Sequence, residues 1–319
     1  MNHSLVQTEG TMMTTTSTRR RVAIPAAAAA LALGLAACSD DSGGDDGAAE
    51  PSEGQSKLEA LQEAGTITVG FAGEAPYSFE NDEGELVGAS VALQERIWGE
   101  LGIENVEGVQ AEFGQLIQGL NAGRWDVVAA GMSILPERCE QAIFSEPEFQ
   151  YTTALLVPEG NPDNLSDMQS IAEAQDVQMA AMTGAIEATY AADLGIDAIE
   201  VGNPQDGMDA VTGGRADVFA LTGISLNWMV DNAGEDPGVE VTDTFVATID
   251  GVEQLGAGGT VFRTEDTELR DAYNEQLAPI VDDEDEYLSV VGDWGFTAGE
   301  RPAGDFTLTT EDLCAGELG

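Results

Sequence analysis

"DVVAAGMSILPERC" (126–139) joins an unbroken apolar run to a glycine, a turn and a helix start near Pro136. An apolar run of this kind, closed by Gly131, reads as a strand buried on both faces, which belongs in a sheet covered by helices. Residues just past the carboxyl end of such a strand are where an open α/β sheet collects its ligands. Ser133 and Arg138 hold that position, and Arg138 stands beside a thiol, Cys139. On these residues alone Arg138 reads equally well as a surface arginine paired with Glu137 or Glu140.

The same grammar extends in both directions. Upstream, "KLEALQEAG" (57–65) is a short helix stopped by Gly65, and "TITVGF" (66–71) is a buried strand. "SVALQERIWGELGI" (90–103) is a helix with Leu93, Ile97 and Leu101 on one stripe. "VEGVQA" (106–111) is a strand and "FGQLIQGLNAG" (113–123) a helix ended by Gly123. Downstream the pattern restarts: strand 177–182, helix 185–195, strand 198–203, helix 204–214, strand 216–221. Strands alternating with helices predict mostly parallel sheets. Two such runs predict two lobes, with the chain passing between them near 154–160. An extended stretch around 244–262 returns to the first lobe, and helices near 266–281 and 283–292 complete it.

Charge narrows the function. The 319 residues hold 59 Asp and Glu against 11 Lys and Arg, a formal net charge of −48. Such a body repels nucleic acid and anionic membrane surfaces. The acids are spread through periodic segments, which predicts a solvated acidic surface suited to salty surroundings. Three arginines at 19–21 precede an apolar stretch from Val22 to Ala37 that is too short to span a bilayer and reads as an export signal. "LAAC" (35–38) resembles the bacterial lipobox, at which Cys38 is acylated and becomes the new N-terminus. Residues 1–37 are then a signal peptide and 38–56 an acidic flexible tether. Cleavage removes His3, the only histidine. No Ser-His-Asp triad, Cys-His pair or histidine-based zinc site can form in what remains. No metal or cofactor is expected. With Cys38 acylated, Cys139 and Cys314 are the two thiols left, and in an exported chain they are expected to pair.

Several strand ends point to one pocket. Glu74 and Tyr77 follow the strand at 66–71, Phe113 the next, and Ser133 and Arg138 the third. From the second lobe come Thr183, the helix-start amides of Gly184, Ala185 and Ile186, and Thr222. Arg138 offers a planar fork to a carboxylate, and helix-start amides favour the same anionic group. Glu74 can neutralise a cation, while Tyr77 and Phe113 stack on its face. The ligand implied is a small zwitterion with a flat or cyclic cationic part. Phe113 also reads as core, Tyr77 as a turn aromatic and Ser133 as a helix cap; Trp125 and Trp228 are assigned to packing.

The series "GTITVGF…PYSF…GELVGAS…GLNAGRWDVVAAGMSILPER…FSEP" resembles the polar-amino-acid type of ABC-transporter solute-binding protein over nearly all of the ordered chain. Within that group "PERC" (136–139), "DVFALTGISLNW" (217–228), "GAGGTVFRTEDTELRDAYNE" (256–275) and "TTEDLC" (309–314) are most similar to ectoine- and hydroxyectoine-binding members. The resemblance implies a two-lobed periplasmic-binding-protein fold of type II, with 57–154 and 248–319 in lobe one and 155–247 in lobe two. It implies a monomer that delivers a zwitterionic solute to an ABC permease and its ATPase, touching the membrane only through its lipid, and no enzyme activity. Carried over, Glu74 meets ring nitrogens, Arg138 the carboxylate, and Tyr77 and Phe113 form aromatic walls. Some ectoine binders have a further aromatic where this chain has Ser133. Amino-acid binders often have an Asp where it has Thr222, which disfavours an ordinary α-ammonium. A polar amino-acid receptor, an exported dehydratase using Glu74 as general acid, and a sensor partner of a membrane receptor remain the alternatives.

Overall fold

The computed structural model describes residues 51–234, 237–304 and 306–316. The expected signal peptide, Cys38 and most of the expected tether lie outside the described residues. Ser56, the last residue of the expected tether, caps the first helix, Lys57–Ala64, in a reciprocal box with Glu59. Gly65 ends that helix in the left-handed region at φ 67°, a conformation glycine adopts without a Cβ penalty.

Two mixed sheets follow. In the first, Asn105–Gln110, Thr66–Phe71 and Val127–Ser133 run parallel, and Gly256–Phe262 pairs antiparallel with Val127–Ser133. The far edge of Gly256–Phe262 takes Ile143–Phe144 and Phe149–Tyr151. In the second, Ala198–Val201, Met179–Met182 and Val218–Thr222 are parallel, and Thr153–Pro158 and Val239–Val241 complete the sheet. The parallel strands match the expectation. The antiparallel members are segments on either side of the crossings between lobes.

That topology corrects the expected crossing. Residues 154–157 are fully buried in the second sheet, whereas Phe149–Tyr151 belongs to the first. The chain therefore changes lobe at Thr152, not across 154–160. An apolar run ending in proline reads as a connector locally, but both of its edges are paired here. The return is likewise not one extended stretch. Phe245 bridges to Thr153, a hairpin joins Thr248–Ile249 to Val252–Glu253, and only then does Gly256–Phe262 enter the first sheet.

Helices cover the first sheet by amphipathic packing. Thr267–Asp282 buries Leu269, Tyr273, Leu277 and Ile280 on one face, the spacing of a helix laid on a core. Its neighbour Ala89–Glu100 buries Leu93, Ile97 and Trp98, and Leu101 ends it half-buried. Lys57 reaches Asp126 at 2.7 Å with both side chains buried, tying the first helix to the turn that opens Val127–Ser133. Trp125, also buried, fills the space left by Gly70 and Gly119. Cys139 and Cys314 form the expected disulfide, which fastens the terminal helix Thr310–Ala315 to the single turn Pro136–Cys139. Among the described residues no helix is long and apolar enough to cross a membrane.

Candidate functional site

The carboxyl ends of Thr66–Phe71, Val127–Ser133, Met179–Met182 and Val218–Thr222 meet at one small cavity between the lobes, ≈ 20 Å³ in volume. Glu74, Tyr77, Phe113, Ser133, Ala185, Ile186 and Thr222 line it, so seven of the expected site residues come together. A much larger groove, ≈ 810 Å³, runs past Phe79, Asp82, Asp209 and Trp228. It is open and walled mainly by exposed side chains. The small cavity is the better site on chemical grounds, because it holds buried polar groups that lack partners.

Each wall is positioned by its neighbours. Tyr77 stands edge-on to Phe149, Tyr151 and Phe296, with centroids 5.5, 5.9 and 5.4 Å away. Its ring packs against Gly131, where any Cβ would overlap it and where φ is 54°. Glycine is required there on both counts. The Tyr151 hydroxyl donates to the Gly131 carbonyl and holds that turn in place. The Tyr77 hydroxyl itself is buried without a hydrogen-bond partner.

Arg138 is buried, 8% exposed, and bridges the lobes. Its Nη1 donates to the Ser133 carbonyl at 2.7 Å and its Nη2 to the Gly184 carbonyl at 2.6 Å. The guanidinium sits 5.4 Å from the Phe113 centroid, within cation–π range. Burial lowers its pKa to about 10, against the opposing field of Glu137, Tyr151, Glu187 and Tyr190. The surface-pair reading is thereby excluded, and part of the fork already serves backbone carbonyls.

The second lobe departs further from expectation. Thr183 is exposed, and its hydroxyl donates to Glu200 at 3.1 Å rather than into the cavity. Gly184 contributes a carbonyl acceptor, not an amide, to the neighbourhood of Arg138. The Ala185 amide donates to the Met182 carbonyl in a tight turn. Ala185 and Ile186 present apolar side chains to the cavity. The acid at this helix start is the chain's own: Glu187, buried and 1% exposed, takes its own backbone N–H. An acid in a first helical turn is ordinary, because it complements the helix dipole, so Glu187 carries no separate local signal.

Glu74 and Glu187 thus share one cavity. Burial raises Glu74 to about 7, opposed by the hydroxyls of Ser225 and Thr222. Burial raises Glu187 to about 8, with the nearby Glu74 charge adding to the rise and Arg138 opposing it. Glu187 Oε1 is buried without a hydrogen-bond partner. Buried polar atoms are almost always paired in native proteins. Two orphans facing one cavity, Tyr77 Oη and Glu187 Oε1, mark a place where a polar solute would supply the partners. Among the described residues no group of His, Cys, Asp and Glu is placed to hold a metal ion.

Comparison with known proteins agrees with this architecture. The profile of the bacterial extracellular solute-binding proteins, family 3, matches residues 67–295. A probable amino-acid ABC transporter periplasmic-binding protein of Sinorhizobium fredii is 35% identical over 264 residues, 81% of this chain and 86% of the relative. The crystal structure of EhuB in complex with hydroxyectoine superposes with a TM-score of 0.71 at 32% identity, covering 81% of this chain and 97% of that one. An ancestral amino acid-binding protein, a precursor of cyclohexadienyl dehydratase, superposes with a TM-score of 0.65 at 25% identity, covering 75% of this chain and 99% of that one.

Proposed function

The chain belongs to the bacterial extracellular solute-binding proteins, family 3, and on that premise we propose that it captures a compact zwitterion with a cationic ring, of the ectoine and hydroxyectoine kind, for an ABC importer. One observation carries the reading: a single interlobe cavity combines two buried carboxyls, Glu74 and Glu187, with the rings of Tyr77 and Phe113 and an adjoining arginine. Burial makes the charged form of each acid costly, and an entering cation removes much of that cost. Glu74 faces the ring cation, which Tyr77 and Phe113 cover. A guanidinium has five N–H donors, so Arg138 keeps others for the solute carboxylate beyond the two on backbone carbonyls. Glu187, protonated near neutrality, donates a hydrogen bond. The likeness to a hydroxyectoine complex supports the same class.

A second reading is a cationic amino acid. Two acids against one arginine match an α-ammonium, a side-chain cation and one carboxylate, and Glu187 is the observation that favours it. Calorimetric titration of the mature protein with hydroxyectoine, ectoine, L-arginine and L-glutamine separates the two. Tight binding of the cyclic solutes with weak binding of both amino acids is expected. Tight L-arginine binding without ectoine binding would establish the second reading, and turnover of prephenate would revive the dehydratase reading.

Capture proceeds by closure about the two crossings, Thr152 and the segment 242–255. Small-angle scattering should show a smaller radius at saturating solute. Residues 1–37 direct export, and acylated Cys38 anchors the protein to the outer face of the cytoplasmic membrane. Intact mass of membrane-extracted protein should carry a diacylglyceryl increment on Cys38.

A further inference from the structure

Ser225 is fully buried near the start of the helix Gly223–Asn232 in the second lobe. Its Oγ donates to Glu74 Oε1 of the first lobe at 2.7 Å. The Thr222 hydroxyl lies 3.0 Å from Ser225 Oγ and 3.5 Å from Glu74 Oε1. A hydroxyl has one proton to give, and the shorter distance sends that of Thr222 to Ser225. The result is a chain, Thr222 to Ser225 to Glu74, in which each bond polarises the next. Among the described residues these two hydroxyls are the only side-chain groups within hydrogen-bond distance of the Glu74 carboxyl. Oε1 is therefore held and Oε2 is left for a solute.

The chain of hydroxyls is anchored beside the lobe crossing. The Gly223 amide donates to the Thr152 carbonyl at 2.9 Å, and Thr152 is the residue at which the chain changes lobe. Rotation about the crossings moves atoms there least, so the contact can persist while the mouth of the cleft opens.

We infer that Ser225, backed by Thr222, is a positioning residue that holds the Glu74 carboxylate in its ionised, solute-facing form, so that a hydroxyl of one lobe sets the charge the other lobe presents. The inference deepens the function proposed above and rests on it for the solute. Both hydroxyls act against the upward push of burial on Glu74. The other groups in its field are Tyr77 in the same turn, Tyr151 on the crossing strand and Glu187 on the second-lobe helix, with Arg138 acting on the last two. Burial raises both tyrosines well above their ordinary value. Glu187 is thus the one neighbour that titrates in the same range, and it must be controlled.

The test reads Glu74 directly. In mature protein carrying 13C-carboxyl glutamate, the Glu74 resonance is identified by its loss in Glu74→Gln and followed against pH without solute. Ser225→Ala should raise its midpoint by about one pH unit or more, the scale of losing a hydrogen bond to a charged group. Ser225→Thr should restore it, and Glu187→Gln in both backgrounds should leave the difference in place. Affinity for hydroxyectoine should fall about tenfold in Ser225→Ala near neutral pH and recover toward pH 9, as Glu74 ionises. In a Glu74→Gln background Ser225→Ala should change affinity little. An unmoved Glu74 midpoint, with or without a loss of thermal stability, overturns the inference. If neither hydroxyectoine nor L-arginine binds the parent protein, the solute reading fails while the carboxyl titration still decides the role of Ser225.

Discussion

The two lobes share a topology and differ in where their basic residues and ion pairs lie. Residues 153–247 carry seventeen Asp and Glu and a single basic residue, Arg215. The rest of the chain from position 57 holds the other seven basic residues, and all of the ion pairs found among the described residues lie there. The first lobe meets several of its buried charged groups internally. Arg263 donates to the Leu120 and Trp125 carbonyls and pairs with Asp266. Buried Glu148 accepts from Tyr273 at 2.8 Å, within a network that includes Thr260, Ser145 and Gln94. The second lobe has a core of Leu, Met, Val and Ala around its sheet, and its buried acid Glu187 has an oxygen without a partner. Both lobes carry a large acid excess, 35 acids against seven basic residues from position 57 in the first and 17 against one in the second. The first uses its basic residues in ion pairs, and each lobe brings one unmet polar atom to the cleft, Tyr77 Oη and Glu187 Oε1. A polar solute in the cleft would meet both unpaired atoms, one from each lobe.

The comparison can be broken most severely at Lys57. Lys57→Ala strips a buried carboxylate of its lysine, and losing one partner of such a pair typically costs about 3–5 kcal/mol. Calorimetry should show the loss in the first-lobe transition; an equal loss in both lobes would mean that they unfold as one unit. Next comes Arg138, which spans the cleft. Arg138→Ala should weaken solute binding by about 2–5 kcal/mol, and lysine should restore it only partly, because a point charge cannot reproduce the planar fork. Exposed Glu137 is the control, and Glu137→Gln should change affinity by less than about 0.5 kcal/mol. Comparable small effects at both positions would return Arg138 to a structural role.

A smaller effect sharpens the role of Glu187. Its folded pKa of about 8 lies above the ordinary 4.5, so its contribution to stability is full below pH 4.5 and is lost as pH rises through about 8. Solute-free protein should therefore gain up to a few kcal/mol between pH 8.5 and 5.5 from this group, and Glu187→Gln should flatten that slope in urea titrations. Salt gives the smallest change. Raising ionic strength from 0.1 to 1 M shortens the Debye length from about 10 to 3 Å. Repulsion is relieved in both lobes, but among the described residues only the first also loses ion-pair attraction to screening, so the second should gain more by up to about 1 kcal/mol. Salt-dependent scans that shift both lobes equally would remove ion pairing as the basis of the contrast.

Much of the cleft was legible in local pattern. Glu74 and Tyr77 follow a buried strand, Ser133 and Thr222 end two others and Phe113 follows an exposed edge strand, and all five line one cavity. The thiol pair followed from elimination and compartment, and it is present. Thr183 failed because local pattern cannot say which way an exposed hydroxyl turns; it turned to Glu200. Glu187 failed for the opposite reason, since an acid in a first helical turn is ordinary until the opposing lobe buries it.

By itself the sequence determined the elements, the two α/β runs, the acid excess and the strand ends from which ligand groups could come. These depend on residue type, period and short-range spacing. Only the tertiary structure decided that the chain crosses at Thr152, that Arg138 reaches Gly184 46 residues away, and that Ser225 reaches Glu74 across 151 residues. Those contacts form between segments with no local influence on one another. Their consequences, a buried pair of acids and a hydroxyl that holds one of them, arise from desolvation when the lobes meet, and desolvation belongs to the packed cleft rather than to any stretch of the chain.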